Sequence, residues 1–301
     1  MSKNSQKNDI QVVDSEGVKS KRIVMCLSYN GANYHGWQFQ KCGLPTVQQK
    51  VQAAISKVAN HHVEVVCAGR TDRAVHSSFQ VIHFNTQSER TRRSWVFGVN
   101  ANLPRDISIS WAGEVDETFH ARFSAISRRY HYQIFNHPIR PANFADEMTW
   151  CHEKLDGLKM HEAAQSLVGT HDFTSFRAVG CQAKSPVRTL EFLTVTRYRD
   201  ILVIDVKGNA FLHHMIRNIA GVLISIGSGE KPVSWCEEVL SFKDRTKGGV
   251  TASPRGLFLS NVEYPSKFEI PAFGGAPSLA RAMVPVDDGN KSDDIWSIFS
   301  S

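Results

Sequence analysis

The stretch CAGRTDRAVHSSFQVIHF, residues 67–84, places one carboxylate, Asp72, between the arginines Arg70 and Arg73. Apolar, strand-like runs precede and follow it, so Asp72 lies in a short cationic turn. Thr-Asp pairs are common in tight turns because both side chains can hydrogen-bond the nearby backbone. The alternative is that the turn presents Asp72 to a ligand, with the flanking arginines as charge partners. These residues alone leave both interpretations open.

Thirteen histidines raise the question of a metal site. The adjacent pairs His61–His62 and His213–His214 do not share one face of a regular element well, and no H-E-x-x-H or zinc-type Cys/His spacing occurs. The chain also lacks phosphate-loop, dinucleotide-binding and nucleophile-elbow motifs. We therefore expect no bound metal and no small-molecule cofactor.

Several short blocks combine arginine, aromatic and small residues. Arginine pairs with phosphates and aromatic rings stack on unpaired bases, a mixture that suits single-stranded or looped RNA. A structural interpretation also fits, because Tyr130 and Tyr132 face one side of a strand and could belong to the core, and Arg217 could be solvated. The blocks are NGANYHGWQ (30–38), AGRTDRAVH (68–76), GVNANLP (98–104), FHARFSAISRRYHY (119–132), DFTSFRA (172–178) and NAFLHHMIRN (209–218).

Composition limits the class of protein. The 301 residues are 42% hydrophobic, enough for about two domains. Six cysteines without a C-x-x-C pair are typical of a reducing compartment, and no apolar run approaches the roughly 20 residues of a membrane span. We expect a cytoplasmic protein without membrane association. The net charge of +6, with an acidic C-terminal stretch, favours a polyanionic partner for the body of the chain.

Hydrophobic periodicity predicts an α+β fold in which the order β-α-β-β-α-β occurs twice. Two such halves can join side by side and leave a cleft between them, a favoured place for a ligand. We expect a disordered leader (1–22), a first half (23–118), a second half (119–271) and a flexible acidic tail (272–301). The predicted strands are 21–29, 63–69, 78–84, 107–115, 127–136, 189–199, 201–208 and 255–265, and the helices 46–60, 91–104, 155–168 and 212–227.

The quoted blocks, taken together and in order, resemble the bacterial tRNA pseudouridine synthase A family across roughly residues 23–265. The resemblance implies two ferredoxin-like halves joined into an extended sheet around a central basic cleft. It also implies a cytoplasmic homodimer that needs no cofactor. Its substrate would be tRNA, in which it would isomerise uridines 38, 39 and 40 of the anticodon stem-loop.

The resemblance assigns a role to each candidate site residue. Asp72 would be the catalytic carboxylate, which could attack ribose C1′, stabilise a cationic sugar or remove a sugar proton. Arg70 would fill the space that the flipped nucleotide vacates. Tyr130 would lie against the uracil and take part in the late proton transfer at C5. Arg217 would pair with Asp72, and Leu257 would help to form the pocket wall.

The chain departs from the family around the same turn. Ala74 and Phe79 stand where glycine is usual, and Arg73 where alanine or lysine is more usual. A positive φ at Ala74 would cost on the order of 1 kcal/mol. One rival function is a non-catalytic RNA-binding protein on the same scaffold, with catalysis lost through the altered loop; a more distant rival is a metal-dependent nuclease that uses scattered carboxylates. Retention of Asp72 with its expected partners disfavours the first, and the lack of clustered carboxylates disfavours the second.

Overall fold

The computed structural model describes residues 20–41 and 43–271 of the chain. The expected leader and acidic tail lie outside these residues, apart from residues 20–22, of which Lys21 and Arg22 already belong to the first strand. The strands of the described part are β1 (Lys21–Tyr29), β2 (Val66–Cys67), β3 (His76–Thr86), β4 (Ile107–Val115), β5 (Ser127–Asn136), β6 (Thr149–Cys151), β7 (Gly169–Asp172), β8 (Val187–Tyr198), β9 (Ile201–Gly208) and β10 (Leu257–Glu263). The α-helices there are α1 (Val47–Ala59), α2 (Arg92–Asn100), α3 (Gly157–Ala164), α4 (Met215–Gly227) and α5 (Trp235–Phe242).

All of these strands belong to one mixed sheet, so the predicted α+β class is confirmed. The sheet order is β4-β1-β3-β10-β5-β9-β8-β7, and β2 and β6 pair with β3 and β5 respectively. The first six elements follow the predicted order β-α-β-β-α-β. The second part of the chain adds β6, β7 and α5, which periodicity did not predict, because two of them are very short and all three pack in a context set by distant residues.

One parallel pairing joins the two parts of the sheet. In it, Phe258 of β10 lies opposite His76 of β3, and Leu259 lies opposite Ser77. Parallel neighbours begin at the same edge of a sheet. The loop before β3, which carries Asp72, therefore lies beside the loop before β10, which carries residues 252–256.

The predicted helix at 155–168 is shorter in the structure, and one residue of its predicted apolar face, Leu158, is exposed. Asp156 accepts hydrogen bonds from the backbone N–H groups of Leu158 and Lys159, so it caps α3 and the helix begins at Gly157. The buried side chains include Met160 and Ala163, whereas Leu158 is 83% exposed. Periodicity over 155–168 places Leu155, Leu158, His161, Ala164 and Leu167 in line; Leu155, Ala164 and Leu167 are buried as expected, and Leu158 is not, because the helix begins only at Gly157.

Helix α4 carries the most apolar surface of the second part. Periodicity over 212–227 places seven apolar residues on one face, and all seven are buried: Leu212, Met215, Ile216, Ile219, Val222, Leu223 and Ile226. The helix nevertheless begins at Met215 and not at residue 212, because His214 has a left-handed backbone with φ 58°. A left-handed residue cannot extend an α-helix. The two histidines therefore precede the helix, which decides where they point.

Three clusters of buried apolar side chains fill the described fold. One packs α1 and α2 against the first part of the sheet, and another packs α3, α4 and α5 against the second part. The third lies on the opposite face of the first part and includes Phe79, which is 2% exposed, beside Phe119 and Leu259. The bulk that Phe79 adds at the start of β3 is therefore core packing. No helix in the described ranges is long and apolar enough to cross a membrane.

Candidate active site

Asp72 lies in the loop between β2 and β3, and the segment 29–37 holds this loop from behind. The backbone N–H of Trp37 donates to the carbonyl of Thr71 at 3.0 Å, and the N–H of Ala74 donates to the carbonyl of Tyr34 at 3.2 Å. The Tyr29 hydroxyl and Thr71 Oγ1 lie 2.8 Å apart in a buried hydrogen bond. These bonds on both sides of Asp72 fix the backbone from which its side chain projects.

Two glycines allow the supporting segment to come this close. A Cβ on Gly31 would lie 2.0 Å from the carbonyl oxygen of Val75, and one on Gly36 would lie 2.6 Å from that of Thr71. Gly36 also has φ +88°, which L-residues rarely adopt. In the block NGANYHGWQ, Gly31 and Gly36 therefore let the backbone pack closely against the loop of Asp72, in addition to any role of the block's side chains.

His76 closes the far end of the loop. Its Nδ1 accepts from the backbone N–H of Gly31 at 3.0 Å, so its Nε2 carries the hydrogen and donates to the carbonyl of Asp146 at 2.9 Å. Burial lowers the pKa of His76 below the ordinary value for histidine. A neutral imidazole in a fixed tautomer thus ties the Asp72 loop to the segment before β6.

Ala74 adopts a left-handed backbone with φ 59°. This is the conformation for which a glycine is expected, so the condition under which alanine would be strained at this position is met. The loop keeps its shape with alanine because the neighbouring hydrogen bonds from Ala74 and Val75 hold it on both sides.

The residues around the start of α4 face Asp72 from the opposite wall. Nε2 of His213 lies 3.4 Å from Asp72 Oδ1, and Nε2 of His214 lies 3.3 Å from Oδ2. Arg217 Nη1 lies 3.7 Å from Oδ2, while Arg217 Nε donates to the carbonyl of Ala252 at 2.8 Å. The predicted pairing of Arg217 with Asp72 is thus present as a loose ion pair, and the loop before β10 orients the guanidinium.

An open pocket of about 410 Å³ lies in front of Asp72. The loop before β3, the start of α4 and the loop before β10 all contribute to it, as the parallel pairing of β3 and β10 requires. Asp72 is the one acidic side chain among its lining residues, which are Ala32, Asp72, Arg73, Ala74, His214, Arg217, Pro254 and Arg255. The arginines of this pocket favour an anionic ligand, and Asp72 presents a carboxylate to that ligand.

Tyr130 lies on the inner strand β5, close to the Asp72 loop. A Cβ on Gly69 would be 3.6 Å from its hydroxyl, and the Phe211 ring meets the Tyr130 ring edge-on at 5.0 Å. Burial is the main cause that raises the pKa of Tyr130 to about 12, with Arg128 acting to lower this pKa and the charge of Asp72 acting to raise it. Tyr130 is therefore a neutral phenol at neutral pH.

Arg70 and Leu257 are placed differently from the other expected site residues. Arg70 is exposed and has no ion pair or side-chain hydrogen bond within the described ranges, so its guanidinium is available to a ligand. Leu257 is 6% exposed, packs in the core of the second part and does not line the pocket in front of Asp72.

Sequence reasoning overlooked the two histidines as neighbours of Asp72. The argument that adjacent histidines do not share one face of a regular element does not apply to His213 and His214, because they precede α4 and the left-handed backbone of His214 turns the pair toward one carboxylate. The sequence did offer one indication of their role, because both histidines lie in the block NAFLHHMIRN together with Arg217. Asp72, His213 and His214 also form a set of potential metal ligands, with their ligand atoms within 4.8 Å of one another.

Comparison with known proteins gives one consistent result. A family model described as tRNA pseudouridine synthase matches residues 25–124 and 163–265. The tRNA pseudouridine synthase A of Pseudomonas aeruginosa is 57% identical over 258 residues, which are 86% of this chain and 90% of the relative. Proteins of the same name from Alcanivorax borkumensis and Coxiella burnetii are 52% and 53% identical over 250 residues, 83% of this chain and 94% and 95% of the relatives.

These matches cover both walls of the pocket, including the loop of Asp72 and the start of α4. The chain belongs to the tRNA pseudouridine synthase family.

Proposed function

We propose that this isomerase converts uridine to pseudouridine at positions 38, 39 and 40 of the tRNA anticodon stem-loop, with Asp72 as its catalytic carboxylate. Family membership supports the reaction and the tRNA substrate. The resemblance of the sequence blocks supports the three positions. The observation that carries the role of Asp72 is its place as the one acidic side chain lining a pocket that also contains Arg73, Arg217 and Arg255.

The reaction breaks the bond from N1 of uracil to ribose C1′ and forms the bond from C5 to C1′. N1 gains a proton and C5 loses one, so the product is an isomer of the substrate. The Asp72 carboxylate can assist by attacking C1′, by stabilising a cationic sugar or by taking a sugar proton. Each route needs the target nucleotide to leave its stack and reach Asp72 in the open pocket.

The neighbouring residues support this assignment in different ways. Arg217 holds Asp72 from the side of α4, and the exposed Arg70 can enter the space that the flipped nucleotide vacates. Tyr130 keeps its proton at neutral pH, so a role in contacting and hydrogen-bonding the uracil is favoured over a role as the base at C5. Leu257 pairs with Tyr132 of β5 and belongs to the buried cluster against which Tyr130 packs, so it supports the pocket through this core and not as a lining residue.

At the level of the fold, we propose two ferredoxin-like halves, 23–118 and 119–271, with the basic cleft between them. The order β4-β1-β3, with β2 on β3, supports the first half, and the order β10-β5-β9-β8 supports the second. Both correspond to the arrangement 4-1-3-2 of a split βαβ unit. We also propose a cytoplasmic homodimer, for which sedimentation at micromolar concentration is the direct measurement.

Substitution of Asp72 by asparagine separates catalysis from binding. Asparagine keeps the shape and one oxygen but removes the charge. We expect Asp72→Asn to stay folded and to bind tRNA, because affinity comes mainly from phosphate contacts, whereas turnover should fall by about three or more orders of magnitude. The assay is tritium release from C5-labelled uridine in an anticodon stem-loop, with tRNA affinity and melting temperature measured in parallel.

The matched control is Asp200→Asn, which changes an exposed aspartate in the β8–β9 turn, away from the pocket. Its turnover should remain within about twofold of the unmutated protein. Substantial turnover by a folded Asp72→Asn protein would refute the proposed mechanism. If the unmutated protein binds tRNA tightly but releases no tritium, the non-catalytic RNA-binding alternative is favoured instead.

A further inference from the structure

Asp72, His213 and His214 form a compact set of three potential metal ligands. It is the one group of at least three His, Cys, Asp or Glu residues in the described part of the chain whose ligand atoms lie close enough together, within 4.8 Å. The other adjacent histidine pair, His61 and His62, is exposed and has no carboxylate in such a group. Convergence on Asp72 is thus a property of the second pair alone.

The separations match those of a small divalent ion. Zn–N and Zn–O bonds are about 2.0–2.2 Å long, so two ligands of a tetrahedral zinc ion lie about 3.3–3.6 Å apart. Two contacts have this length: His213 Nε2 lies 3.4 Å from Asp72 Oδ1, and His214 Nε2 lies 3.3 Å from the other oxygen, Oδ2. The ligand atoms of all three residues lie within 4.8 Å of one another. An ion could therefore bind between the imidazoles and the carboxylate once the side chains close the remaining separation, which is at most 4.8 Å.

The types of ligand atom select the kind of ion. Two imidazole nitrogens and one carboxylate oxygen suit Zn²⁺ and related transition metals, whereas Mg²⁺ prefers oxygen ligands and retains its waters. The side chains of His213, His214 and Asp72 are 46%, 28% and 28% exposed. Solvent can therefore reach the site, and water can complete the coordination of a bound ion.

The arginines of the pocket oppose tight binding. Arg217 Nη1 lies 3.7 Å from the same carboxylate, and Arg73 lines the same pocket. Repulsion between these charges and a divalent ion reduces the affinity relative to a structural zinc site. The site is thus suited to reversible occupation.

We propose that Asp72, His213 and His214 bind Zn²⁺ reversibly and that the bound ion inhibits the isomerisation. The inhibition rests on the proposed catalytic role of Asp72, because coordination occupies the carboxylate lone pairs that the reaction needs. Binding of the ion does not depend on that role. The enzyme would work without metal and lose activity when free zinc rises.

Binding is tested first, on protein treated with EDTA and then freed of chelator, by titration with Zn²⁺ in competition with a chromophoric chelator. We expect one ion per chain, and affinity at least about tenfold weaker for His213→Gln and His214→Gln. The control His62→Gln, from the exposed pair, should bind like the unmutated protein. Mg²⁺ should not displace the zinc. Circular dichroism and melting temperature identify a variant that is misfolded, in which case the other histidine variant carries the test.

The second measurement is tritium release at buffered concentrations of free zinc. Turnover should fall as the site fills and return with EDTA, and both histidine variants should need at least about tenfold more zinc for the same fractional loss. Absence of binding up to roughly 100 µM zinc, or equal binding in both histidine variants, would overturn the proposed site. Zinc bound at these residues with undiminished turnover would instead refute the role of Asp72 and leave the metal site standing.

Discussion

At the scale of single residues, Ala74 shows how a local departure is absorbed. Its φ of 59° is a conformation that glycine adopts freely and alanine does not. Hydrogen bonds from the N–H groups of Ala74 and Val75 hold the turn in place. The position next but one to Asp72 thus carries strain without losing the geometry that presents the carboxylate.

We expect Ala74→Gly to raise the free energy of unfolding slightly, by up to about 1 kcal/mol. Relief of the left-handed strain, about 1–2 kcal/mol, is partly offset by the greater freedom of glycine in the unfolded chain. Turnover should stay within about twofold, because glycine favours the same backbone shape. Chemical denaturation and the tritium assay measure the two effects.

The control for this substitution is Ala101→Gly. Ala101, like Ala74, is not a buried residue, but its φ is −64°. Glycine there relieves no strain and should lower stability by about 0.5–1 kcal/mol. A loss of more than about 1 kcal/mol in Ala74→Gly would mean that the alanine methyl group makes a needed contact.

At the scale of elements, the pairing of β5 with β9 brings a charged cluster into the sheet. His131 lies opposite Asp205, and Arg129 Nε donates to Asp205 Oδ1 at 2.8 Å. Asp205 is 7% exposed. Burial raises the pKa of its carboxyl, but the hydrogen bonds from Arg129 and the nearby His131 imidazole, whose Nε2 lies 3.4 Å from Oδ1, outweigh burial, and the net pKa lies below the ordinary value.

This lowered pKa predicts a specific pH dependence of stability. A carboxyl whose pKa is lower in the folded state stabilises the fold above its unfolded pKa, about 3.9, and the contribution is lost as the pH falls further. We expect Asp205→Asn to lower the free energy of unfolding by about 2 kcal/mol at pH 7. This is less than the loss expected for a fully buried ion pair, because Arg129 is partly exposed. The variant should also lose less stability than the unmutated protein below about pH 4.

Urea denaturation across that pH range measures both effects, and Asp200→Asn again serves as the control. The side chain of Asp200 makes no ion pair within the described ranges, so its substitution should change neither the stability at pH 7 nor the acid response. If Asp205→Asn lost stability on acidification as steeply as the unmutated protein, a group other than Asp205 would carry the lowered pKa.

At the scale of the whole molecule, the β3–β10 junction assembles the site. It brings the Asp72 loop, the start of α4 and the loop before β10 to one edge, although these segments are far apart in sequence. The arginines that meet there, with the net charge of +6, form a surface suited to phosphate contacts.

We therefore expect tRNA affinity to fall steeply between about 50 and 200 mM salt, because bound arginines release counterions from the phosphates. Arg255→Gln, at the pocket, should lower the slope of log affinity against log salt by about one. Arg199→Gln, in the exposed β8–β9 turn, is the control and should leave the slope unchanged. A flat dependence for the unmutated protein would contradict phosphate-based binding.

Much of the element pattern was predictable from local sequence. Strands β1, β4, β5 and β9 were predicted with their observed bounds, because alternating apolar residues and turn signals are local properties. The stretch 63–69 is a strand only at Val66–Cys67, since pairing with β3 decides how much of it joins the sheet. The expected role of Asp72 and the expected pairing with Arg217, of which the structure shows the pairing, came from the resemblance of whole blocks to a family.

Tertiary structure alone decided how the site is composed. The convergence of His213 and His214 on Asp72 depends on one left-handed residue before α4, and no periodicity reports such a residue. The meeting of Asp72 with Arg255 depends on the parallel pairing of strands from opposite ends of the described chain. Sequence determines local conformation and the apolar faces that must be buried, whereas distances between remote side chains are set only when those faces pack.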